Sequence, residues 1–244
     1  MLVISAGMQK SGTGWYYGLT AALLATAGGI GVDDLRARSG AVARVLGAHN
    51  GHLGPPTARR LAPVARALGP GEHVAVKTHA GPTAALGLLL RTGRARATYC
   101  LRDPRDVALS ALDAARRPGG GAGPRLAGVA DIEAAVAFAG RLVPTWRAWA
   151  RAPGVLLVRY EDLVADTGAE LDRLAAHLGL VLAAGERAAI LERHPPGAGG
   201  EGPADQHFNR GEAGRFRREM TAGEQARAAA ALGPALAEMG YPSD

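Results

Sequence analysis

The two lysines of the chain are the first residues whose chemistry stands out. Of the 28 basic residues only Lys10 and Lys77 are lysines, and all the others are arginines. A lysine ammonium is a compact point charge that the planar guanidinium of arginine does not replace. Each lysine also follows or ends an apolar, strand-like run, "LVISAG" before Lys10 and "HVAV" before Lys77. We therefore take both lysines as site residues that act on an anion.

Lys10 lies in a glycine turn that differs from a nucleotide-binding P-loop. The P-loop reads G-x-x-x-x-G-K-[ST]; here Gly7 and Gly12 keep the spacing, but Thr13 follows and the lysine lies inside the loop. A glycine turn that opens a helix offers backbone N–H groups and a positive dipole end to an anion. The alternative is a tight turn with a buried tryptophan. The predicted anion cradle, with an aromatic ring to stack on a base, is Lys10, Ser11, Gly12, Thr13, Gly14 and Trp15.

A histidine follows the second lysine directly after its predicted strand. His79 ends the segment "KTH", two residues after Lys77. An imidazole with an unperturbed pKa of about 6.5 can take up a proton near neutral pH. Ligands gather at the carboxyl ends of the strands in open α/β sheets, so we expect His79 to face the phosphate loop as a general base. We expect the other six of the seven histidines to be structural.

Three further segments carry groups for a second phosphate and a base. In "RDPRDVALS", Asp103 is expected to cap a helix, while Arg102 and Ser110 form a fork for a phosphate. The alternative for this segment is a capped, salt-bridged helix start. Tyr160 in "YEDL" either lines a base pocket or is a half-buried strand end. Arg210 precedes a flexible Gly-x-x-Gly turn. Together these groups fit a ligand with two separated phosphates and an aromatic base.

The elements that would position these residues alternate as in βαβ units around a parallel sheet. We therefore predict an α/β fold, and we expect residues 1–244 to form a single domain. The segments 116–125 and 194–214 are rich in glycine and proline and are predicted to be mobile loops. The predicted strands are 2–6, 73–78, 97–102 and 154–160. The predicted helices are 14–27, 58–68, 83–92, 104–117, 131–151, 167–178, 184–193 and 221–238.

Composition narrows the functional classes. The net charge of +6 and the pI of about 10.1 suit an anionic ligand. We expect no nucleic-acid partner, because the chain has no basic run with interleaved aromatics, no helix-turn-helix signal and no zinc pattern. The single cysteine, Cys100, excludes an internal disulfide and indicates a reducing, cytoplasmic compartment. Residues 11–32 are uncharged, but glycines interrupt them and no basic segment precedes them, so we expect neither secretion nor membrane insertion.

Taken together, these segments resemble the sulfotransferases that use 3′-phosphoadenosine 5′-phosphosulfate (PAPS). "QKSGTGW" is similar to their 5′-phosphosulfate loop, P-K-S-G-T-T-W, and "YCLRDPRDVALS" to their 3′-phosphate motif. "KTH" resembles the segment of the catalytic histidine, "RYEDL" that of the adenine-pocket tyrosine, and "NRGEAGRF" the late motif R-K-G-x-x-G-x-W. The motifs occur in family order from residue 9 to residue 216. The resemblance implies a P-loop-like three-layer fold with a central parallel sheet flanked by helices.

The resemblance also implies a reaction and its residues. A sulfuryl group would pass from PAPS to a small-molecule hydroxyl, without a metal, leaving adenosine 3′,5′-bisphosphate (PAP). Lys10 would stabilise the leaving phosphate oxygen, His79 would accept the acceptor's proton, and Lys77 would neutralise the sulfuryl oxygens. The implied nucleotide contacts are Lys10, Ser11, Gly12, Thr13, Gly14, Trp15, Arg102, Ser110, Tyr160, Phe208, Arg210 and Gly211.

The chain departs from the family patterns at four positions. Gln9 replaces a proline, Gly14 a threonine and Phe216 a tryptophan, and Asn209 stands where an arginine is frequent. The alternatives are a P-loop nucleotide kinase and a non-catalytic PAP-binding module, and the sequence leaves a homodimer open. The acceptor pocket is expected in 28–57, 80–95, 116–130 and 194–208. Aromatic residues make up only 5% of the chain, so no aromatic-lined slot for a steroid or phenol is evident.

Overall fold

The computed structural model describes residues 1–47, 51–117, 126, 128–195 and 211–242. The central element is a parallel sheet with the strand order β2-β1-β3-β4. Its strands are β1 (Leu2–Gly7), β2 (Val74–Thr78), β3 (Ala95–Leu101) and β4 (Val155–Arg159). All four strands were predicted from their apolar, branched residues, with boundaries that differ by at most two residues.

Helices follow the strands and cover the sheet. Those of the described residues are α1 (Thr13–Thr26), α2 (Val32–Arg38), α3 (Gly40–Ala43), α4 (Ala58–Ala67), α5 (Ala84–Arg91), α6 (Pro104–Arg116), α7 (Ile132–Ala150), α8 (Tyr160–Ala165), α9 (Thr167–Leu178), α10 (Ala184–Arg193), α11 (Phe216–Glu219) and α12 (Ala222–Glu238). The eight predicted helices are all present. The short helices α2, α3, α8 and α11 were not predicted, because so few residues show no clear periodicity.

The sheet is buried on both faces, which makes the three predicted layers. Leu2 and Ile4 of β1 belong to a large apolar cluster, whereas Val3 belongs to a second cluster on the opposite face. The large cluster includes residues of α2, α4, α5, α6, α7, α11 and α12. The second cluster includes residues of α1, α8, α9 and α10. Strands that are apolar on both faces are typical of parallel sheets, and the predicted fold class is confirmed.

Two predictions about segments need a comment. The predicted strand 154–160 is one residue too long at its carboxyl end, because Tyr160 already begins α8. Most of the two predicted mobile loops, residues 118–125 and 196–210, lies outside the described residues. Within the described part of the chain, no helix combines the length and the apolar character needed to span a bilayer.

Candidate functional site

The predicted anion cradle is the turn between β1 and α1, and part of its backbone is left-handed. Lys10 has φ 67° and is the only non-glycine residue with a positive φ among the described residues. A non-glycine residue in this conformation costs roughly 1–3 kcal/mol and is imposed by its surroundings. The strain therefore falls on one of the two lysines that the sequence singled out.

The turn ends at a glycine whose backbone conformation and close neighbour disfavour any side chain. Gly12 has φ 76° and precedes α1, and a Cβ atom there would lie 2.6 Å from ring carbons of Tyr160. No described side chain caps α1. The first N–H groups of this helix, together with its dipole, are therefore available to an anion.

The Ser11 hydroxyl stabilises the turn itself. Its Oγ lies 2.6 Å from the Met8 carbonyl oxygen and 3.0 Å from the Cys100 carbonyl oxygen, so it donates to the backbone. The Cys100 thiol in turn donates to the Ser11 carbonyl oxygen at 3.0 Å. Ser11 is fully buried and Thr13 nearly so. The Ser11 hydroxyl, part of the predicted anion cradle, thus holds the loop against β3.

Lys77 reaches the start of α1 from β2. Its Nζ lies 4.0 Å from the position that a Cβ atom would take at Gly14. Burial lowers the pKa of Lys77 to about 8, with a further lowering contribution from Lys10. Burial, aided by the positive charges of Arg117 and Arg102, likewise lowers the pKa of Lys10 to about 8. Both lysines of the chain therefore place desolvated ammonium groups near the turn.

The ring of His79 is fixed against the end of β1. Its Nδ1 lies 2.8 Å from the Gly7 carbonyl oxygen. A carbonyl oxygen only accepts, so Nδ1 donates, and in the neutral ring the lone pair is on Nε2. The loop beyond His79 is held by Trp149 of α7, whose indole N–H donates to the Ala80 carbonyl oxygen at 3.0 Å. This arrangement supplies the tautomer that a general base requires.

Arg102 lies at the end of β3 and joins the turn to the late motif. It is 4% exposed, and its Nη1 lies 3.4 Å from the Lys10 carbonyl oxygen. Its Nη2 donates to the Glu212 carbonyl oxygen at 2.5 Å and to Asp106 at 3.3 Å. Its buried Nε has no hydrogen-bond partner among the described residues. A buried guanidinium nitrogen without a partner is costly unless a ligand satisfies it.

The segment after Arg102 has the predicted helix start. Asp103 caps α6 by accepting from the Arg105 backbone N–H at 2.8 Å, and Pro104 is the first helical residue. Ser110 is buried on this helix, two turns further on. The Arg105 side chain pairs with Asp103 at 2.8 Å, and its guanidinium lies 3.8 Å from the centre of the Phe216 ring. Arg105 is thus structural.

Asp106 was missed as a site residue by the sequence analysis. It is fully buried and accepts from the backbone N–H groups of Gly214 at 2.6 Å and Phe216 at 3.0 Å, in addition to Arg102. One carboxylate therefore ties the late Gly-x-x-Gly turn to the arginine of the 3′-phosphate motif. The only sequence signal is its position four residues after Arg102. Phe208 and Arg210 lie outside the described residues, and Gly211, with φ 70°, is described.

The two aromatic residues of the predicted base pocket are buried against the turn. Trp15 and Tyr160 meet edge to face with ring centres 6.4 Å apart, and the Arg102 guanidinium lies 4.4 Å from the centre of the Tyr160 ring. The Trp15 indole N–H donates to the His194 carbonyl oxygen at 3.2 Å. Tyr160 therefore connects the phosphate turn with Arg102.

A second histidine, expected to be structural, also lies at the site. The rings of His52 and His79 have centres 5.9 Å apart and are inclined by 41°. Sequence reasoning had no signal for this proximity, because the residues are far apart in the chain. Among the described residues no group of three or more histidine, cysteine or carboxylate side chains could hold a metal ion.

Comparisons with known proteins point to one family and one fold. The family model of the sulfotransferase domain matches residues 2–194. No match to a curated protein was found. Among solved structures, retinol dehydratase in complex with androsterone and inactive cofactor PAP is similar, with a TM-score of 0.57 and 19% identity over 96% of this chain and 80% of that chain.

Two more solved structures show the same fold. Mouse sulfotransferase SULT7A1 complexed with PAP has a TM-score of 0.60 and 13% identity over 96% of this chain and 84% of its own. The sulfotransferase domain from the curacin biosynthetic pathway has a TM-score of 0.53 and 14% identity, and covers 99% of this chain and 98% of its own.

Proposed function

Because the chain belongs to the sulfotransferase family, we propose that it transfers a sulfuryl group from PAPS to a hydroxyl of a small-molecule acceptor. The retinol dehydratase and the mouse sulfotransferase were both solved with PAP, the nucleotide that PAPS leaves behind. We further propose that residues 1–244 form one cytoplasmic sulfotransferase domain that acts without a metal.

One observation supports PAPS as the donor. Cationic side chains suited to two separate phosphates lie close together at the ends of neighbouring strands. Lys10 follows β1, Arg102 follows β3, and the 3.4 Å contact between the Arg102 guanidinium and the Lys10 carbonyl oxygen joins them. The uncapped start of α1 fits a 5′-phosphate, and the unpartnered Nε of Arg102 fits a 3′-phosphate. Ser110, Arg210 and Gly211 are the remaining proposed contacts to the 3′ side, and Trp15, Tyr160 and Phe208 those to the base.

The donor supplies a sulfuryl group that is already activated by its bond to a phosphate. In this mechanism His79 takes the proton of the acceptor hydroxyl on Nε2, while its Nδ1–H keeps its bond to the Gly7 carbonyl oxygen. That carbonyl then stabilises the imidazolium that forms. Lys10 and Lys77 place positive charge where negative charge develops on the phosphate and sulfuryl oxygens. Water has to be kept from the sulfuryl group; Lys10 and Lys77 are half-buried, and the desolvation that lowers the pKa of both supports a poorly solvated site.

The proposed acceptor is a small molecule with a hydroxyl group. Androsterone and retinol are the ligands named for retinol dehydratase. The low aromatic content of this chain, 5%, does not favour an equally aromatic-lined slot here. The segments 28–57 and 80–95, which are expected to face the acceptor, precede and follow β2 in the chain, and the described part of the first includes His52.

Thermal unfolding with two nucleotides tests the proposal. PAP should raise the melting temperature, since a ligand at about 100 times its Kd stabilises the native state by about 2.7 kcal/mol. ATP with Mg²⁺ should have a much smaller effect, because it has no 3′-phosphate for Arg102 and Ser110. Equal shifts from the two ligands would contradict a dedicated 3′-phosphate site. Labelled sulfate donor with an acceptor library then separates an enzyme from a module that only binds PAP.

A further inference from the structure

The backbone around His52 is built to hold that histidine beside the proposed base. Residues 51–53 pair in parallel with the end of β2: Lys77 N–H donates to the Gly51 carbonyl oxygen at 3.0 Å, and Leu53 N–H to the Lys77 carbonyl oxygen at 2.8 Å. The Thr78 hydroxyl donates to the Gly54 carbonyl oxygen at 2.7 Å. Gly51 and Gly54 flank the segment with φ 54° and 68°. The segment therefore extends the sheet by a short stretch beyond β2.

The pairing fixes the side on which the His52 ring lies. His52 and Lys77 are direct partners in this bridge. Partners in register point to the same face of a sheet, and residues two apart on a strand do so as well. His52, Lys77 and His79 thus share one face, in agreement with the 5.9 Å between the two imidazole centres.

The strand order then places His52 relative to the donor. Along the sheet, Tyr160 follows β4, Arg102 follows β3, Lys10 follows β1, and His79 follows β2. The proposed nucleotide runs along this edge from β4 toward β1. In-line attack brings the acceptor from the side opposite the leaving phosphate, which is the side of β2. His52 lies beyond β2, so it faces the acceptor and not the nucleotide.

We propose that His52 is an acceptor-binding residue that selects molecules with a second oxygen substituent close to the reacting hydroxyl. The inference rests on the proposed sulfuryl transfer. The reacting oxygen has to lie within about 3 Å of His79. An oxygen that hydrogen-bonds the neighbouring His52 ring is then only a few ångströms from the first one. Oxygens on adjacent carbon atoms, as in vicinal diols and catechols, meet this spacing.

Matched acceptor pairs test the selection. Catechol against phenol, and trans-1,2-cyclohexanediol against cyclohexanol, differ by one neighbouring hydroxyl. With the wild-type protein and PAPS, we expect kcat/KM to favour the vicinal member of each pair by about tenfold or more, as one hydrogen bond to a polar side chain allows. His52→Leu should reduce this preference to the statistical factor of about two. Phenol and cyclohexanol serve as the internal reference, so the readout is the kcat/KM ratio within each pair, and His52→Gln should restore part of the preference.

A control and a binding measurement keep the result interpretable. His177→Leu removes another half-buried histidine, one that contacts the Ala97 carbonyl oxygen at 2.9 Å, and should leave the preference unchanged. Catechol and phenol affinities for the PAP complex, measured by calorimetry, report the same selection without turnover. An equal preference in wild type and His52→Leu, with PAP bound normally, would overturn the role of His52 alone. Failure to bind PAP and to turn over any of the four acceptors would overturn the sulfuryl transfer as well.

Discussion

The positive charges at the two ends of the site differ in their partners. The arginine end consists of Arg102 and Arg105, and the lysine end consists of Lys10 and Lys77. At the ends of β3 and β4, Arg102 pairs with Asp106 at 3.3 Å and Arg105 with Asp103 at 2.8 Å. At the ends of β1 and β2, neither Lys10 nor Lys77 forms a salt bridge with a described residue, and burial lowers the pKa of both. Among the described residues, salt bridges therefore neutralise one end, whereas at the other end no carboxylate pairs directly with the lysines and Asp113 only partly offsets the lowering of the pKa of Lys10.

The difference suggests that the two ends have different functions, recognition of the nucleotide and stabilisation of developing charge. Arginines locked by carboxylates form a preformed fork whose geometry the protein has already fixed, which suits recognition of a phosphate. Desolvated lysines without a salt-bridge partner among the described residues destabilise the free protein, and so does the left-handed backbone at Lys10. Such energy is recovered when negative charge arrives or develops. We therefore expect changes at the lysine end to affect turnover more than nucleotide binding, and changes at the arginine end to affect nucleotide binding more than turnover.

The largest effect is expected from His79→Ala. Removal of a general base typically lowers kcat by about 10²–10⁴. PAP affinity should stay nearly the same, because the ring is held by the Gly7 carbonyl oxygen and is proposed to act on the acceptor hydroxyl. His177→Ala, which also removes a half-buried histidine with a carbonyl partner, serves as the control in the same kinetic assay. Turnover within a few-fold of wild type would mean that another group takes the proton.

The next largest effect is expected from Lys10→Arg. The substitution keeps the charge but puts a larger, planar head group into a turn shaped around a point charge. Loss of one such electrostatic contact costs about 2–4 kcal/mol in the barrier. The loss should appear in kcat and much less in PAP affinity. Arg59→Lys, the reverse exchange at an exposed position, should be silent. A Lys10→Arg protein with normal kcat would make Lys10 a simple phosphate contact.

Asp106→Asn should instead weaken nucleotide binding at the arginine end. Gly214 N–H and Phe216 N–H each bond a different carboxylate oxygen, so the amide presents its NH₂ group to one of these two donors. A hydrogen bond to a charged group contributes about 1.5–3 kcal/mol, so PAP affinity should fall by roughly 10- to 100-fold. The kcat at saturating PAPS should change only a few-fold. Asp172→Asn, in an exposed pair with Arg187, is the matched control. A fall in kcat with unchanged PAP affinity would contradict the assignment of nucleotide binding to the arginine end.

The fold was predictable because its signals are local. Apolar runs such as "LVISAG" and "ATYCL" mark strands buried on both faces, and Asp103-Pro104 marks a helix start. Lys10 and Lys77 were found by their scarcity and their place after apolar strands. The roles assigned to the site residues stay predictions, and the positions of Phe208 and Arg210 lie outside the described residues.

What sequence reasoning missed depends on tertiary contacts. His52 reaches His79 only because residues 51–53 pair with β2, a contact that no periodicity encodes. Asp106 gains its role from a turn more than a hundred residues later in the chain. The Ser11 hydroxyl bonds carbonyl oxygens of its own loop and of β3, which the motif does not reveal, and its contact with a phosphate stays a prediction. Tyr160 was placed on a strand, yet it begins α8, where it meets Gly12.

The smallest effect, and the one that compares the two ends most directly, is the pH dependence of PAP binding. Lys10 and Lys77 have pKa values of about 8 in the free protein. An anion favours the ammonium form, so affinity should fall as the pH rises through 8. If both lysines keep their protons in the complex, the loss between pH 7 and pH 8 is about threefold and steepens above pH 8.

The stability of the free protein should change in the opposite direction. Between pH 8 and the ordinary lysine pKa of 10.5, the unfolded chain binds more protons at these two residues than the folded protein does. The contribution of the two lysines to the free energy of unfolding therefore rises with pH across this window. Lys77→Met should roughly halve both slopes, in calorimetric PAP titrations and in urea unfolding between pH 7 and pH 9.5, whereas Arg59→Lys should change neither. A PAP affinity that does not vary with pH would mean that the two ammonium groups do not contact the nucleotide. The lysine and arginine ends would then differ only in how their charges affect the stability of the folded protein.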